Sequence, residues 1–508
     1  LEDLKEMVLS MKLKKIFKDI PAVQIKGGKD VEVTGISANS KLVAPGNLFI
    51  AKRGSSYDGS LFIPEAISAG ASAILTDIFN PSLKNTLQVI HKDPASIESF
   101  VSAAYYNYPS DELFLVGITG TSGKTTTSFL IKYLLDQLRL QAGLLGTIEY
   151  IVGNQRYQAS HTTADVSTNH KLLRDMVRHG CQSAVMEVSS HALEQGRVDL
   201  IDFDLCLFTN LSQDHLDYHQ TMDAYFQVKA KLFQRPPPRP KKKKWPQGAI
   251  INQDCPWGRK LCQEFPLKNP FTYGIDSPAD LKGHLEHHSA EGMTLSVSHR
   301  DQTYQVKSPL VGKFNASNLL AAFAVGIQLG TPGEKIAQIL SHAPKVSGRL
   351  EKVNNPLGIS IYVDYAHKPA ALENTLQALR AITPAASQLI TVFGCGGNRD
   401  RAKRPLMGAI AERYSDAVII TSDNPRSEDP AAICEEIEAG LTGKTPCQRI
   451  IDRKQAIEEA IFKASPQDII LIAGKGHETY QIFHHKTISF DDVAIAEECC
   501  HKIALAKV

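Results

Sequence analysis

Leu113-Phe114-Leu115-Val116-Gly117-Ile118, running on through Gly120-Thr121-Ser122-Gly123-Lys124-Thr125-Thr126, is the stretch that decides the fold. Its first six residues are a short apolar, β-rich run, and Thr126 to Leu138 reads as a helix beyond the glycine turn. Strand, glycine turn and helix together make the entry of a nucleotide-binding α/β domain. Glycines let backbone N–H groups turn towards phosphate oxygens, and the helix N-terminus adds a favourable potential. Lys124 can neutralise the β- and γ-phosphates of ATP, and Thr125 offers a hydroxyl to Mg²⁺. The strict pattern also asks for a glycine six residues before the lysine, where this chain has Ile118.

Working outward, buried-strand runs recur at Ser183 to Met186 and Leu205 to Phe208, each ending in polar residues where carboxyl ends of parallel strands gather ligands. Upstream, Asn47 to Ala51 and Ala73 to Leu75 are short strands with a helical segment, Ile63 to Ala69, between them. Downstream of Val346-Ser347-Gly348-Arg349, strands at Ile359 to Val363, Leu389 to Phe393, Ala417 to Ile420 and Ile469 to Ala473 alternate with helices. That alternation is a doubly wound pattern. The expected organisation is therefore α/β in three domains, 1–110, 111–345 and 346–508, with a P-loop-type ATPase domain in the centre and a Rossmann-like domain last.

A chain of 508 residues accommodates three domains of about 150 residues each. With 43% hydrophobic and 22% charged residues it has ordinary globular composition, and a net charge of +2 does not call for a polyanionic partner. Nine cysteines, scattered apart from the Cys499-Cys500 pair and without CxxC spacing, read as reduced thiols of a cytoplasmic protein. No apolar run approaches the ~20 residues of a membrane helix, so no membrane insertion is expected. Leu1-Glu2-Asp3 lacks a signal-peptide layout, and Met7 and Met11 are candidate starts. Arg235 to Trp245, with its proline and lysine runs, reads as an exposed loop of extended character. The His287-His288 and His484-His485 pairs read as polar surface.

Glu187 follows one buried strand, and Asp214-His215 lies beyond another, so the two could meet above the phosphate loop. A hard Mg²⁺ suits the carboxylate; a lone histidine is more often a hydrogen-bonded side chain than a ligand. The segments GTSGKTT (120–126), MEVSSHAL (186–193), TNLSQDHLDYH (209–219) and YFQVKAKLF (225–233) change that balance. In this order and spacing they resemble the Mur ligase family along nearly the whole chain. The resemblance implies that Glu187 and His215 bind Mg²⁺ and that Lys229 is carbamylated, replacing a repelling ammonium by an anionic oxygen pair. By the same motif matches Lys124, Glu187, His215 and Lys229 are the catalytic set. Asn315, Asn318, Arg349 and Asp364, in GKFNASN, VSGRLE and VDYAHKP, would contact the nucleotide across a domain junction. Lys368 stands where relatives usually have threonine, and no role is assigned to it.

Ala38-Asn39-Ser40-Lys41 and Ser55-Ser56-Tyr57 fall where the family holds the uridine nucleotide, with Asn39 and Lys41 departing from the usual Asp and Arg. His161-Thr162-Thr163, Ser189, Gln195 and Arg197 match contacts to the muramoyl-peptide. The glycine-dense Gly394 to Asp400 loop and Asp423-Asn424-Pro425-Arg426 match the amino-acid pocket, with Arg399, Gly474 and Glu478. In the family DNPR accompanies meso-diaminopimelate, whose distal carboxylate suits the forked cation of Arg426. A site built for that carboxylate rejects lysine, because the arginine is otherwise left unpaired.

The implied activity is ATP-dependent ligation of meso-diaminopimelate to UDP-N-acetylmuramoyl-L-Ala-D-Glu through an acyl phosphate, in peptidoglycan biosynthesis, by a monomer. The third domain is expected to close about residues 345–349. A lysine-adding relative, a folylpolyglutamate synthase and a non-catalytic scaffold holding nucleic acid through Lys241 to Lys244 are the rivals. The N-terminal uridine pattern, Arg426 and the intact catalytic set argue against them, so no nucleic-acid partner is expected.

Overall fold

The structure is a computed structural model that describes residues 10–27, 30–54, 58–83, 86–234 and 244–506. Among the described residues three large sheets carry the chain, beside two two-stranded pairs. The first runs Gln24–Lys26, Leu87–Ile90, Ala73–Thr76, Leu48–Ile50, Ile36–Ser37 in space, parallel except for its first strand. Its hydrophobic alternation buries Leu48, Ile50, Ala73, Leu75, Leu87 and Val89 against the helix Pro94–Tyr105. That helix starts where Asp93 accepts from the amides of Ala95 and Ser96, with Pro94 in the first turn.

The second sheet has eleven strands, and Phe114–Thr119 lies inside it, wholly buried between Ser183–Glu187 and Leu205–Phe208. Both neighbours run parallel to it, so three strand ends open on one edge. The helices Lys124–Gln137 and Lys313–Gln328 cover this region, packing Leu130, Ile131 and Leu134 with Leu319, Leu320 and Phe323. Sequence alternation did not reveal the two ends of this sheet, which turn antiparallel. Glu149–Val152 and Gln155–Gln158 form one hairpin, and Leu281–Ser289, Gly292–His299 and Gln302–Ser308 form a meander at the other end. Alternate residues of that meander stay open to solvent, a face antiparallel sheets can leave wet.

The third sheet runs Glu351–Lys352, Ser360–Asp364, Ile469–Ala473, Leu389–Phe393, Ala417–Ile420, Cys447–Arg449, all parallel but the first. Helices Pro369–Arg380, Lys403–Tyr414 and Pro430–Glu438 pack one face, and Arg453–Lys463 and Asp492–Ala506 the other. The expected doubly wound arrangement is what forms. Arg453 and Asp492 pair within it at 2.7 Å, both fully buried.

Three local expectations change. The phosphate-loop helix begins at Lys124, two residues before the expected Thr126, because Gly123 adopts φ +83° and closes the turn at once. Trp245 is half-buried against Phe114, ring centroids 5.3 Å apart, so the end of the proline and lysine segment is not free surface; Arg235 to Lys243 lie outside the described residues. His288 is structural, its Nε2 accepting from the Gly312 amide at 2.8 Å.

Candidate functional site

The phosphate loop is shaped by its packing. Gly120 sits at φ +150°, where an added Cβ would lie 1.9 Å from Thr209 Oγ1, and a Cβ on Gly123 would lie 2.6 Å from Asn318 Oδ1. Neither position admits a side chain. Thr121 N–H donates to Asn210 O and Ser122 N–H to Asn210 Oδ1, so the strand end at Phe208 props the loop. Lys124 Nζ folds back on Gly120 O and Thr121 O, each at 3.0 Å. Burial holds Lys124 below the ordinary lysine range; Glu187 and Asp214 oppose this, and the cations Lys368 and Arg349 add to it.

Thr125, in the first turn, joins three segments. Its hydroxyl donates to Glu187 Oε2 at 3.0 Å, and Arg349 Nη2, from the third domain, reaches its oxygen at 3.4 Å. Glu187 is fully buried and also accepts from Thr147 N and Thr147 Oγ1, each at 3.0 Å. Thr147 was missed in the sequence; its place just past the strand Ala142–Leu145 was the available signal. Thr126 is buried in the same turn. Asn318 tethers the loop rather than facing open space: it accepts from Thr127 Oγ1 at 3.1 Å and donates to Asn315 Oδ1 at 3.0 Å.

Lys229 lies on the helix Met222–Ala230, 1% exposed, with Nζ donating to Gly120 O at 2.9 Å and standing 4.7 Å from the Tyr225 ring centre. Burial first, then the charges of Lys124 and Lys368, push its pKa well below the lysine range. His215 takes a left-handed backbone, φ +52°, and its Nε2 is 3.4 Å from Asp214 Oδ2. Burial and then Lys368 depress its imidazole to about 4, which keeps it neutral and able to donate a lone pair. His191 stacks edge-on against it, ring centroids 4.9 Å apart. Asp214 is gripped by Lys368 Nζ at 2.7 and 2.8 Å, a contact the sequence did not announce.

Among the described residues no three His, Cys, Asp or Glu side chains gather as a metal centre. Magnesium does not need one, since it keeps waters and takes one or two carboxylates plus substrate phosphates. The paired oxygens of Thr125 and Glu187, with the neutral His215 and a buried Lys229 amine, fit that limited demand.

The residues expected on the peptide side are linked by hydrogen bonds. Thr163 Oγ1 donates to Glu187 O at 2.8 Å and accepts from Ser189 N at 3.1 Å, while Thr162 Oγ1 accepts from Thr147 Oγ1 at 3.1 Å. Arg197 donates to Thr163 O at 3.0 Å and to Gln195 Oε1 at 2.7 Å. A cavity of about 240 Å³ opens here, lined by Lys52, His161, Asp165, Val166, Gln195 and Arg197. Lys52 and Asp165 were not singled out in the sequence. Ser40 spends its hydroxyl on Glu65 Oε2 at 2.8 Å, Ala38 is half-buried, and Asn39 caps the turn by accepting from Lys41 N at 3.0 Å. Ser55, Ser56 and Tyr57 lie outside the described residues.

In the third domain, Arg426 has φ +53°, is half-buried, and anchors Nη1 on Gly397 O at 2.9 Å. Asn424 donates to Glu478 Oε2 at 2.8 Å and accepts from Ile482 N at 2.9 Å. A Cβ on Gly474 would lie 2.6 Å from Asp423 Oδ2, and one on Gly397 would lie 1.9 Å from Pro425 O. Arg399 is exposed beside this loop, donating to Asn398 O at 3.1 Å. Asp364 is turned to its own fold: it accepts from Leu350 N, Ala366 N and Thr375 Oγ1. Burial raises its pKa against the pull of Arg349.

Three family descriptions match the chain: the Mur ligase family catalytic domain over 32–101, the Mur ligase middle domain over 118–326 and the Mur ligase glutamate ligase domain over 348–476. The UDP-N-acetylmuramoyl-L-alanyl-D-glutamate–2,6-diaminopimelate ligase of Chlamydia caviae is 43% identical, covering 96% of this chain and 99% of its own. The protein of the same name from Thermosynechococcus vestitus is 43% identical over 91% and 92% of the two chains. A solved structure of a ligase of that name superposes with a TM-score of 0.68 at 30% identity, covering 97% of this chain and 99% of its own.

Proposed function

This chain belongs to the Mur ligase family, and we propose from that premise that it joins meso-2,6-diaminopimelate to the D-glutamate γ-carboxylate of UDP-N-acetylmuramoyl-L-Ala-D-Glu. It is an ATP-dependent acid–amino-acid ligase of peptidoglycan synthesis, acting as a monomer in the cytoplasm. Nine free cysteines support a reducing compartment, and no helix among the described residues is long and apolar enough to cross a membrane. Domain boundaries at 110/111 and 345/346 belong to this proposal, supported by the strands of the three large sheets lying on either side of them.

The observation that carries the reading is the meeting of the phosphate-loop helix, a parallel strand end and the third domain on one hydroxyl, that of Thr125. The Gly120 to Thr126 loop and the Lys124 ammonium take the ATP phosphates, with Asn318 holding the loop from behind and Asp364 holding the Arg349 segment beside the nucleotide. Thr125, Glu187, His215 and carbamylated Lys229 would hold Mg²⁺, which when bound neutralises charge on the transferring phosphoryl group. The depressed pKa of Lys229 supports its modification: a neutral amine adds to CO₂, loses one proton and becomes a carbamate.

Ala38, Ser40, Ser55, Ser56 and Tyr57 bind the uridine nucleotide. His161, Thr162, Thr163, Ser189, Gln195 and Arg197 orient the dipeptide so that its γ-carboxylate meets the γ-phosphate. ADP leaves as the acyl phosphate forms; the diaminopimelate amine then attacks the acyl carbon, loses a proton and expels phosphate. Arg399, Asp423, Asn424, Pro425, Arg426, Gly474 and Glu478 hold the incoming amino acid, with Arg426 reading its distal carboxylate. Much of the catalysis is the positioning of three substrates.

Mass spectrometry of the UDP-linked product, with ADP release, tests this in parallel incubations with diaminopimelate and L-lysine. The expected product carries diaminopimelate alone. A lysine product keeps the ligase and removes the role of Arg426; no product with either removes the proposal.

A further inference from the structure

Lys368 occupies the N-cap of the helix Pro369–Arg380, with φ −129° and ψ 152°, and its side chain makes no capping bond. Ser, Thr, Asp and Asn are favoured there because their oxygens accept from the first free amides, which an ammonium cannot do. The chain therefore forgoes a cap at this helix. What the side chain does instead is cross to the central domain, where Nζ donates to both oxygens of Asp214, 154 residues away, at 2.7 and 2.8 Å. The carboxylate end of the pair is 15% exposed and the ammonium end 37%.

Asp214 in turn fixes its neighbour. Its Oδ1 accepts from the His215 amide at 2.9 Å, and its Oδ2 stands 3.4 Å from His215 Nε2. His215 is a non-glycine residue in the left-handed region, a backbone state that persists only where surroundings hold it. We propose that Lys368 is a positioning residue for the ligation, an interdomain clasp whose bidentate grip on Asp214 couples closure of the third domain to the placement of His215. The proposal rests on the ligase reading given above.

An exposed ion pair within one domain adds little to stability. This pair spans two domains, so it acts on the population of the closed arrangement rather than on the stability of either part. Couplings of ordinary size between two elements correspond to roughly 5- to 150-fold effects, and a loss of about tenfold in kcat is expected here. The test uses Lys368→Thr, Lys368→Met, Lys368→Arg and Asp214→Asn in the full-length enzyme, with wild-type turnover as the control that separates failure of the clasp from failure of the ligase reading.

Lys368→Thr restores a capping oxygen, so its melting temperature should hold or rise while kcat falls about tenfold and KM for the UDP-linked substrate stays within about twofold. Lys368→Arg should keep most of the activity, and Lys368→Met combined with Asp214→Asn should be no worse than Asp214→Asn alone. Small-angle scattering reads the clasp without turnover: Lys368→Met should be more extended than wild type. Wild-type kcat in Lys368→Met overturns the proposal. So does a melting temperature of Lys368→Thr that falls in step with its activity, additive losses in the double variant, or identical scattering profiles.

Discussion

Two glycine-rich loops, Gly120 to Thr126 and Gly394 to Asp400, each follow a buried parallel strand, yet they need glycine for different reasons. In the first, Gly120 and Gly123 take φ values of +150° and +83°, torsions that side chains resist, and a Cβ on either would also strike Thr209 or Asn318. In the second, glycine makes room. A Cβ on Gly394 would lie 2.2 Å from Thr421 O and one on Gly397 1.9 Å from Pro425 O, so the loop can press against the neighbouring strand's exit. That pressing is what anchors Arg426 on Gly397 O. The first loop needs glycine for its torsions as well as for room; the second needs it for room alone. Torsion is a local property, whereas room depends on what a distant segment places nearby.

The largest expected effect breaks the first loop at its charge. Lys124→Met should cut product formation by about 10³-fold, the size of losing a preorganised donor at a developing charge. A loss below tenfold would mean that the amides alone suffice. Gly397→Ala attacks the second loop through space: moving Pro425 displaces Arg426, and KM for diaminopimelate should rise by about 10²-fold while KM for ATP stays within about twofold. Equal changes in both constants would erase the distinction between the loops. Arg426→Met removes only the reading group, so KM for diaminopimelate should rise ten- to hundredfold, by roughly 1.5–3 kcal/mol for a charged hydrogen bond, and discrimination against lysine should shrink.

The smallest effect is in acid. Glu428 braces the second loop: it receives Arg404 Nη1 at 2.9 Å, and Arg404 is fully buried. Arg404 first, then the Asn398 amide, lowers the Glu428 carboxyl to about 2. Because the folded value lies below the unfolded one, this stabilisation is complete above the ordinary glutamate value and is lost as pH falls through about 2. Urea midpoints measured at pH 5 and pH 3 should therefore differ less in Glu428→Gln than in wild type. An unchanged difference would show that the brace contributes nothing to the third domain.

The fold and the site were legible in the sequence, but unevenly so. Strands at Leu205–Phe208, Leu389–Phe393, Ala417–Ile420 and Ile469–Ala473 stand where their apolar runs put them, because strands buried on both faces have no polar residues to blur their ends. The antiparallel meander at 281–308 was not seen, since its half-wet strands mix polar and apolar residues. Within the site, Lys124, Thr125, Glu187, Lys229 and Arg426 stood out through their motifs. Thr147 and Asp165 did not, because a threonine or aspartate near a turn is ordinary until something is seen to face it.

The amino-acid sequence by itself determined the order of the α/β segments, the glycines that permit the phosphate-loop turn and the identity of the charged groups, because each is read from residues adjacent in the chain. Only the tertiary structure decided which of those groups share an atom. It put Arg349 on Thr125, set the Lys229 amine on Gly120 O in a place dry enough to favour its neutral form, and sent Lys368 to Asp214 instead of to its own helix. Burial and proximity across 100 residues or more are properties of the packed chain, and no local pattern encodes them.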